Sequence, residues 1–172
     1  MNVTAAVLAL IVAAAFVSMP LVRHRYGAAA MASAQRELTR QRVRTTALAE
    51  HGMRFDASGH ESAAPLGIAA VLLTVAGVNL AGPGWAGTMS VVVFALVLLG
   101  NGVIVYSNLT AVKSVRAAFA RKNDPELLRV DVPALLAAAE AGFPGWTWTL
   151  QKLRNVAVFG AAALGITVTL VG

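Results

Sequence analysis

"VTAAVLALIVAAAFVSMPLVRHR", residues 3–25, runs through twenty uncharged residues and then meets two arginines around a histidine. A hydrocarbon core about 30 Å thick needs roughly 20 helical residues to cross it, so the uncharged part is long enough to span a bilayer. The question is whether this stretch is a secretion signal or a membrane anchor. A signal carries its positive charge before the apolar run and small residues at a cleavage site. Here only Met1 and Asn2 precede the run, and the charge follows it. The stretch therefore reads as an anchor that starts outside the cell and enters the cytoplasm at Arg23.

The rest of the chain repeats this alternation. Further apolar runs occupy 66–82, 86–107 and 155–172, and with 3–22 they make four spans. In lipid an unpaired backbone group costs several kcal/mol, so each run must close its own hydrogen bonds as a helix, whatever its Val and Ile content. The expected fold class is an all-α membrane protein: one polytopic domain over 1–172, four transmembrane helices, and helical extensions after spans one and three. A soluble bundle is disfavoured, because four uncharged runs of this length are hard to bury in one water-soluble domain. The composition agrees. Only 13% of the 172 residues are charged, against about 25% in an ordinary soluble domain. There is no cysteine, which excludes disulfides and thiolate metal sites.

All 14 Lys and Arg fall in two segments, 23–64 and 108–154, each of which also holds four acids. Short loops rich in Lys and Arg stay cytoplasmic. Both segments should then lie inside, with the termini and the turn at 82–85, "GPGW", outside. Two spans separate the segments, so the two assignments agree. Trp85, Tyr26, Tyr106, Trp146 and Trp148 fall near span ends, where aromatic residues are enriched.

Within 23–64, residues 28–51 read as a helix stopped by His51-Gly52, with Met31, Ala34, Leu38, Thr45 and Leu48 along one stripe. Arg36, Arg40 and Arg44 recur every four residues and should share a face. With Arg23, Arg25, Lys113 and Arg116 they are candidates for contact with anionic lipid headgroups or an acidic partner. The net charge of +6 does not argue for nucleic acid, because the basic helix lacks interleaved aromatics. Residues 53–64 read as a loop. In 108–154, residues 110–122 continue span three as a basic helix. Asp124-Pro125-Glu126 has the order of a helix start, and Asp131 should cap a second short helix that ends at Gly142. That helix is apolar nearly all round, so it should be covered by protein or lie at the membrane surface.

No catalytic residues, cofactor or metal are expected. His24, His51 and His60, with Glu50, Asp56 and Glu61, lack the i, i+4 spacing of a helical metal motif. Asn79 and Asn101 are the amides within spans. The hairpin at 82–85 puts them at opposite depths, so they should not bond to each other; Asn101, flanked by Gly100 and Gly102, is expected to make an interhelical hydrogen bond, with a ligand or ion site as the alternative. The small-residue rows Ala5, Ala9, Ala13 and Ala157, Ala161, Gly165, Thr169 should mark close helix contacts, with each other or across a homo-oligomer. These features favour a non-enzymatic accessory, scaffold or self-assembling subunit in a bacterial inner membrane, in contact with the bilayer and with another membrane protein or itself. A small oligomeric channel or transporter is the alternative, and a membrane enzyme acting on lipid-like substrates the third reading.

Overall fold

The computed structural model describes residues 1–55 and 62–171. Its helices are α1 (Val3–Arg40), α2 (Ala47–Glu50), α3 (Ala63–Ala81), α4 (Ala86–Leu109), α5 (Ala111–Arg121), α6 (Pro125–Leu128), α7 (Val132–Ala141) and α8 (Trp146–Val171). Among the described residues there is no strand. Helices α1, α3, α4 and α8 are each long and apolar enough to cross a membrane. The protein has an all-α membrane fold with four such helices. All four expose large apolar side chains, among them Leu10, Leu73, Leu99 and Leu164. A water-soluble monomer rarely exposes apolar surface on this scale.

The chain divides into two compact units. The first, here the apolar unit, comprises Met1–Pro20, His60–Val105 and Trp148–Gly172. Its core takes Val12 and Phe16 from α1, Leu72 and Val75 from α3, Phe94 and Val97 from α4, and Val158 and Ala162 from α8. Asn2 starts α1 by accepting a hydrogen bond from the Ala5 N–H at 3.0 Å, so the first helical turn does not leave that donor bare. Gly82 ends α3 in the left-handed conformation (φ 73°), which a side chain would strain. That residue makes the tight turn expected at 82–85.

The second, hydrophilic unit comprises Leu21–Gly59 and Tyr106–Thr147. It has a core of its own. Ala34 and Leu38 of α1, Leu48 of α2, Phe119 of α5, Leu127 of α6, and Val132 and Leu135 of α7 are buried together. The caps expected at the second segment are present. The Asp124 carboxylate accepts from the Glu126 N–H, and that of Asp131 from the Ala134 N–H. Helix α7 turns Val132, Leu135 and Ala139 into this core, so protein covers its apolar face.

The expected helix over 28–51 needs correction. Helix α1 stops at Arg40, and α2 is separate. Arg42 adopts φ 59°, the Val43 N–H reaches the Leu38 carbonyl at 2.9 Å, and the Arg42 N–H reaches that of Thr39 at 3.0 Å. This is the double-bonded left-handed helix ending that usually uses glycine. Leu38 and Val43 meet the same core across it. The same ending recurs at Gly52 (φ 69°), where the Met53 N–H bonds to the Leu48 carbonyl at 2.8 Å. Since a left-handed non-glycine residue carries a strain of about 1 kcal/mol, Arg42→Gly should raise stability by roughly that amount. Thermal unfolding in mild detergent measures it.

Span four also starts earlier than 155. Helix α8 begins at Trp146 and carries Lys152 and Arg154 within it.

Candidate functional site

In the hydrophilic unit, Arg44 is the hub of an ion cluster. The break at Arg40 takes it off the face shared by Arg36 and Arg40. Its guanidinium pairs with Asp124, with Glu50 at 2.9 Å and with Glu126 at 3.0 Å. Its backbone N–H also donates to Glu126 at 3.1 Å. The His51 Nε2 lies 3.1 Å from the Asp124 carboxylate. Nearby, the Gln41 side chain accepts from the Asp131 N–H at 2.8 Å, which ties the end of α1 to the start of α7. Arg40 is engaged by Glu37, with a donor–acceptor distance of 2.6 Å.

The electrostatics follow from this geometry. Hydrogen bonds from Arg44, then His51, hold the Asp124 carboxyl well below the usual carboxylate range. Thr46 and Arg44 lower Glu50 in the same sense. A depressed folded-state pKa stabilises the fold above the unfolded value, about 3.9 for Asp and 4.3 for Glu, and that contribution is lost as pH falls below it. The melting temperature should therefore drop between pH 5 and pH 2.5, read by fluorescence of Trp146, which stacks edge-on against Tyr26 in this unit at 6.0 Å. Asp124→Asn keeps the helix cap and should flatten that dependence.

The cluster uses acids inward and leaves cations outward. Arg25, Arg36, Lys113 and Arg116 are exposed, and among the described residues none of them has a carboxylate partner. Arg36 donates to the Ser33 hydroxyl at 2.9 Å. Arg23 is half-buried. Among the described residues no three His, Asp or Glu side chains converge as metal ligands. His60, Asp56 and Glu61, part of the histidine-and-acid set named above, lie outside the described residues, as does the middle half of the loop expected at 53–64.

In the apolar unit the two amides behave differently. Asn79 donates across the α3–α4 hairpin to the Ser90 hydroxyl at 2.7 Å, and Ser90 passes the bond on to the Ala86 carbonyl at 2.9 Å. Asn101 is fully buried, yet neither its amide nitrogen nor its oxygen has a partner. The interhelical bond expected there is absent. A buried amide with nothing to bond to costs about 1–3 kcal/mol. Asn101→Leu should then raise stability by about 1–2 kcal/mol. A loss in a detergent unfolding assay would instead mean that the amide holds something in the folded protein.

The small-residue rows are buried or half-buried. Ala5, Ala9 and Ala13 are in the core. Gly165 faces the Phe94 ring, and Gly87 lies 3.2 Å, measured to an added Cβ, from the Thr169 methyl. The close neighbour of Gly165 and Thr169 is thus α4 of the same chain. Ala161 is buried on that helix and Ala157 half-buried.

Sequence reasoning missed Arg154. It is buried, its guanidinium carbon stands 5.0 Å from the centre of the Phe16 ring, and it donates to the Asn155 side chain at 3.0 Å. Its Nε has no partner. The apolar run in the sequence starts one residue later, at Asn155, so composition puts Arg154 outside the span. The Phe16 contact had no signal in spacing. No family model, curated protein or solved structure matches the chain, so its reading rests on its own residues and geometry.

Proposed function

We propose that this is a non-enzymatic accessory or scaffold subunit of a bacterial inner membrane, which presents a basic cytoplasmic head to an acidic partner protein or to copies of itself. The observation that carries this reading is the shared core of the hydrophilic unit. Residues between 71 and 97 positions apart, Leu38 and Leu48 on one side and Phe119 and Leu135 on the other, are buried together. Such a core needs both segments on the same side of the bilayer, and their Lys and Arg content favours the cytoplasm. The head is also cross-linked by Arg44 and Gln41. A head in which Glu37, Glu50, Asp124 and Glu126 are engaged internally offers Arg36, Lys113 and Arg116 to an anionic surface.

Two measurements test this. Because the chain has no cysteine, single cysteines at Ser33, Ser114 and Gly84 report sidedness. An impermeant thiol reagent applied to intact cells should label Gly84→Cys alone; labelling of the first two with protection of the third reverses the topology. Purification from native membrane in mild detergent should yield a stoichiometric membrane partner or a defined homo-oligomer, weakened by Arg36→Glu with Arg116→Glu. A monomer that brings no protein with it would rule out the scaffold role.

A further inference from the structure

Beside the core of the apolar unit, α3 and α4 leave a groove of about 470 Å³, in the range of pockets that hold small molecules. Phe16 of α1 forms part of its wall, with Gly67 and Val71 of α3 and Leu96 and Gly100 of α4. The lining is wholly apolar in residue type. The two glycines, one on each wall, shape it: a Cβ at either position would meet nothing within 4 Å. Val71 and Leu96 are exposed, so the groove opens on the outer surface of helices that are built to face lipid.

A buried charge stands against one of the lining side chains, although Arg154 is not itself part of the lining. The Phe16 ring that lines it carries the Arg154 guanidinium over its face, 5.0 Å from the ring centre. Arg154 is more than nine-tenths buried, and among the described residues it has no carboxylate partner. Its Nε–H is unpaired. Asn101, which follows groove-lining Gly100 in sequence, is a second fully buried polar group and has both amide atoms unpaired. A buried cation without a counter-charge is costly, and desolvated guanidinium groups bind phosphate oxygens strongly.

We propose that the groove holds one acyl chain of an anionic phospholipid, whose phosphodiester neutralises Arg154. This rests on the membrane reading above and makes it specific. The apolar walls select a chain rather than a polar solute, and the arginine selects the charge of the headgroup. The occupant is a lipid of the leaflet that contains the α3 N-terminal end, where the groove-lining residues Ala63 and Ala64 lie.

The test uses the full chain in mild detergent, titrated with an equimolar mixture of phosphatidylglycerol and phosphatidylcholine and read by native mass spectrometry. The first bound lipid should be phosphatidylglycerol by about tenfold, the factor that one charge-assisted hydrogen bond supplies. Arg154→Gln should equalise the two lipids, and Arg154→Lys should keep the preference. Gly100→Leu and Gly67→Leu project into open space and should leave the helix content unchanged, while each lowers binding of both lipids. Glycerol phosphate in excess should displace nothing; displacement would show a free phosphate site and overturn the lipid assignment. Equal binding of the two lipids by the unaltered chain, or full binding by both leucine variants, also overturns it. Release of the protein from membranes by alkaline carbonate overturns the membrane reading as well, whereas retention with no headgroup preference overturns only this inference.

Discussion

Phe94→Ala should lower folding stability by about 3–5 kcal/mol, the cost of emptying a fully packed aromatic site. Phe94 is completely buried in the apolar core, and its ring lies against the bare Cα of Gly165. A membrane supplies little hydrophobic drive between helices, so the loss comes from missing van der Waals contact rather than from transfer into water. The converse change, Gly165→Leu, forces a side chain into the space the ring occupies and should cost about 1–3 kcal/mol. The two effects are coupled. In the double variant the new leucine fills part of the hole, so the combined loss should fall below the sum of the single losses, by an interaction energy of about 0.5–3 kcal/mol. Unfolding in mixed detergent micelles measures all three. Strict additivity would mean that the ring and the glycine are not neighbours in the folded protein.

Gly142→Ala should cost about 1–3 kcal/mol, which is unusual for a single methyl at a helix end. At this position φ is −77°, so the glycine is not there for a left-handed turn. A Cβ would overlap the Cα of Ala30 and come within 2.8 Å of the Ala29 carbonyl oxygen. Both obstacles are backbone, which has no rotamer to move aside. The change should loosen the hydrophilic unit, seen as faster hydrogen exchange through α7 and the second half of α1. Gly145→Ala is the matched control, since nothing lies within 4 Å of a Cβ there, and it should leave exchange unchanged.

These residues show how far the sequence could be read. The four apolar helices were legible because lipid leaves one backbone solution for an uncharged run, and each contains its run to within one residue, although α1 and α8 extend well beyond theirs on the charged side. The caps at Asp124 and Asp131 were legible because a capping side chain acts within three residues of itself. Gly142 was legible as a helix end, but its reason was not, since the obstacle lies more than 100 positions away at Ala30. The end of α1 at Arg40 was hidden for a different reason. The motif that ends it wants glycine at 42, and the chain has arginine there, held in place by the Leu38–Val43 contact across the core. Once that break was missed, Arg44 was assigned to an exposed stripe instead of to Asp124. Asn101 could be singled out by type and depth, but whether a partner waits for it depends on neighbouring helices. Arg154 was lost by one residue of span boundary, which composition locates only coarsely.

The core of the hydrophilic unit has a consequence for the order in which the chain is made. Its first contributor, the α1 extension with Ala34 and Leu38, leaves the ribosome long before Phe119 and Leu135 exist, with two membrane spans to be inserted in between. Through that interval its apolar stripe has no cover, and long-range contacts of this kind form late. A nascent chain arrested after α4 is therefore a half-built head, open to chaperones and to membrane proteases. Completion of α7 should convert it abruptly to a resistant form, so that the docking of two distant segments works as the checkpoint for a finished protein.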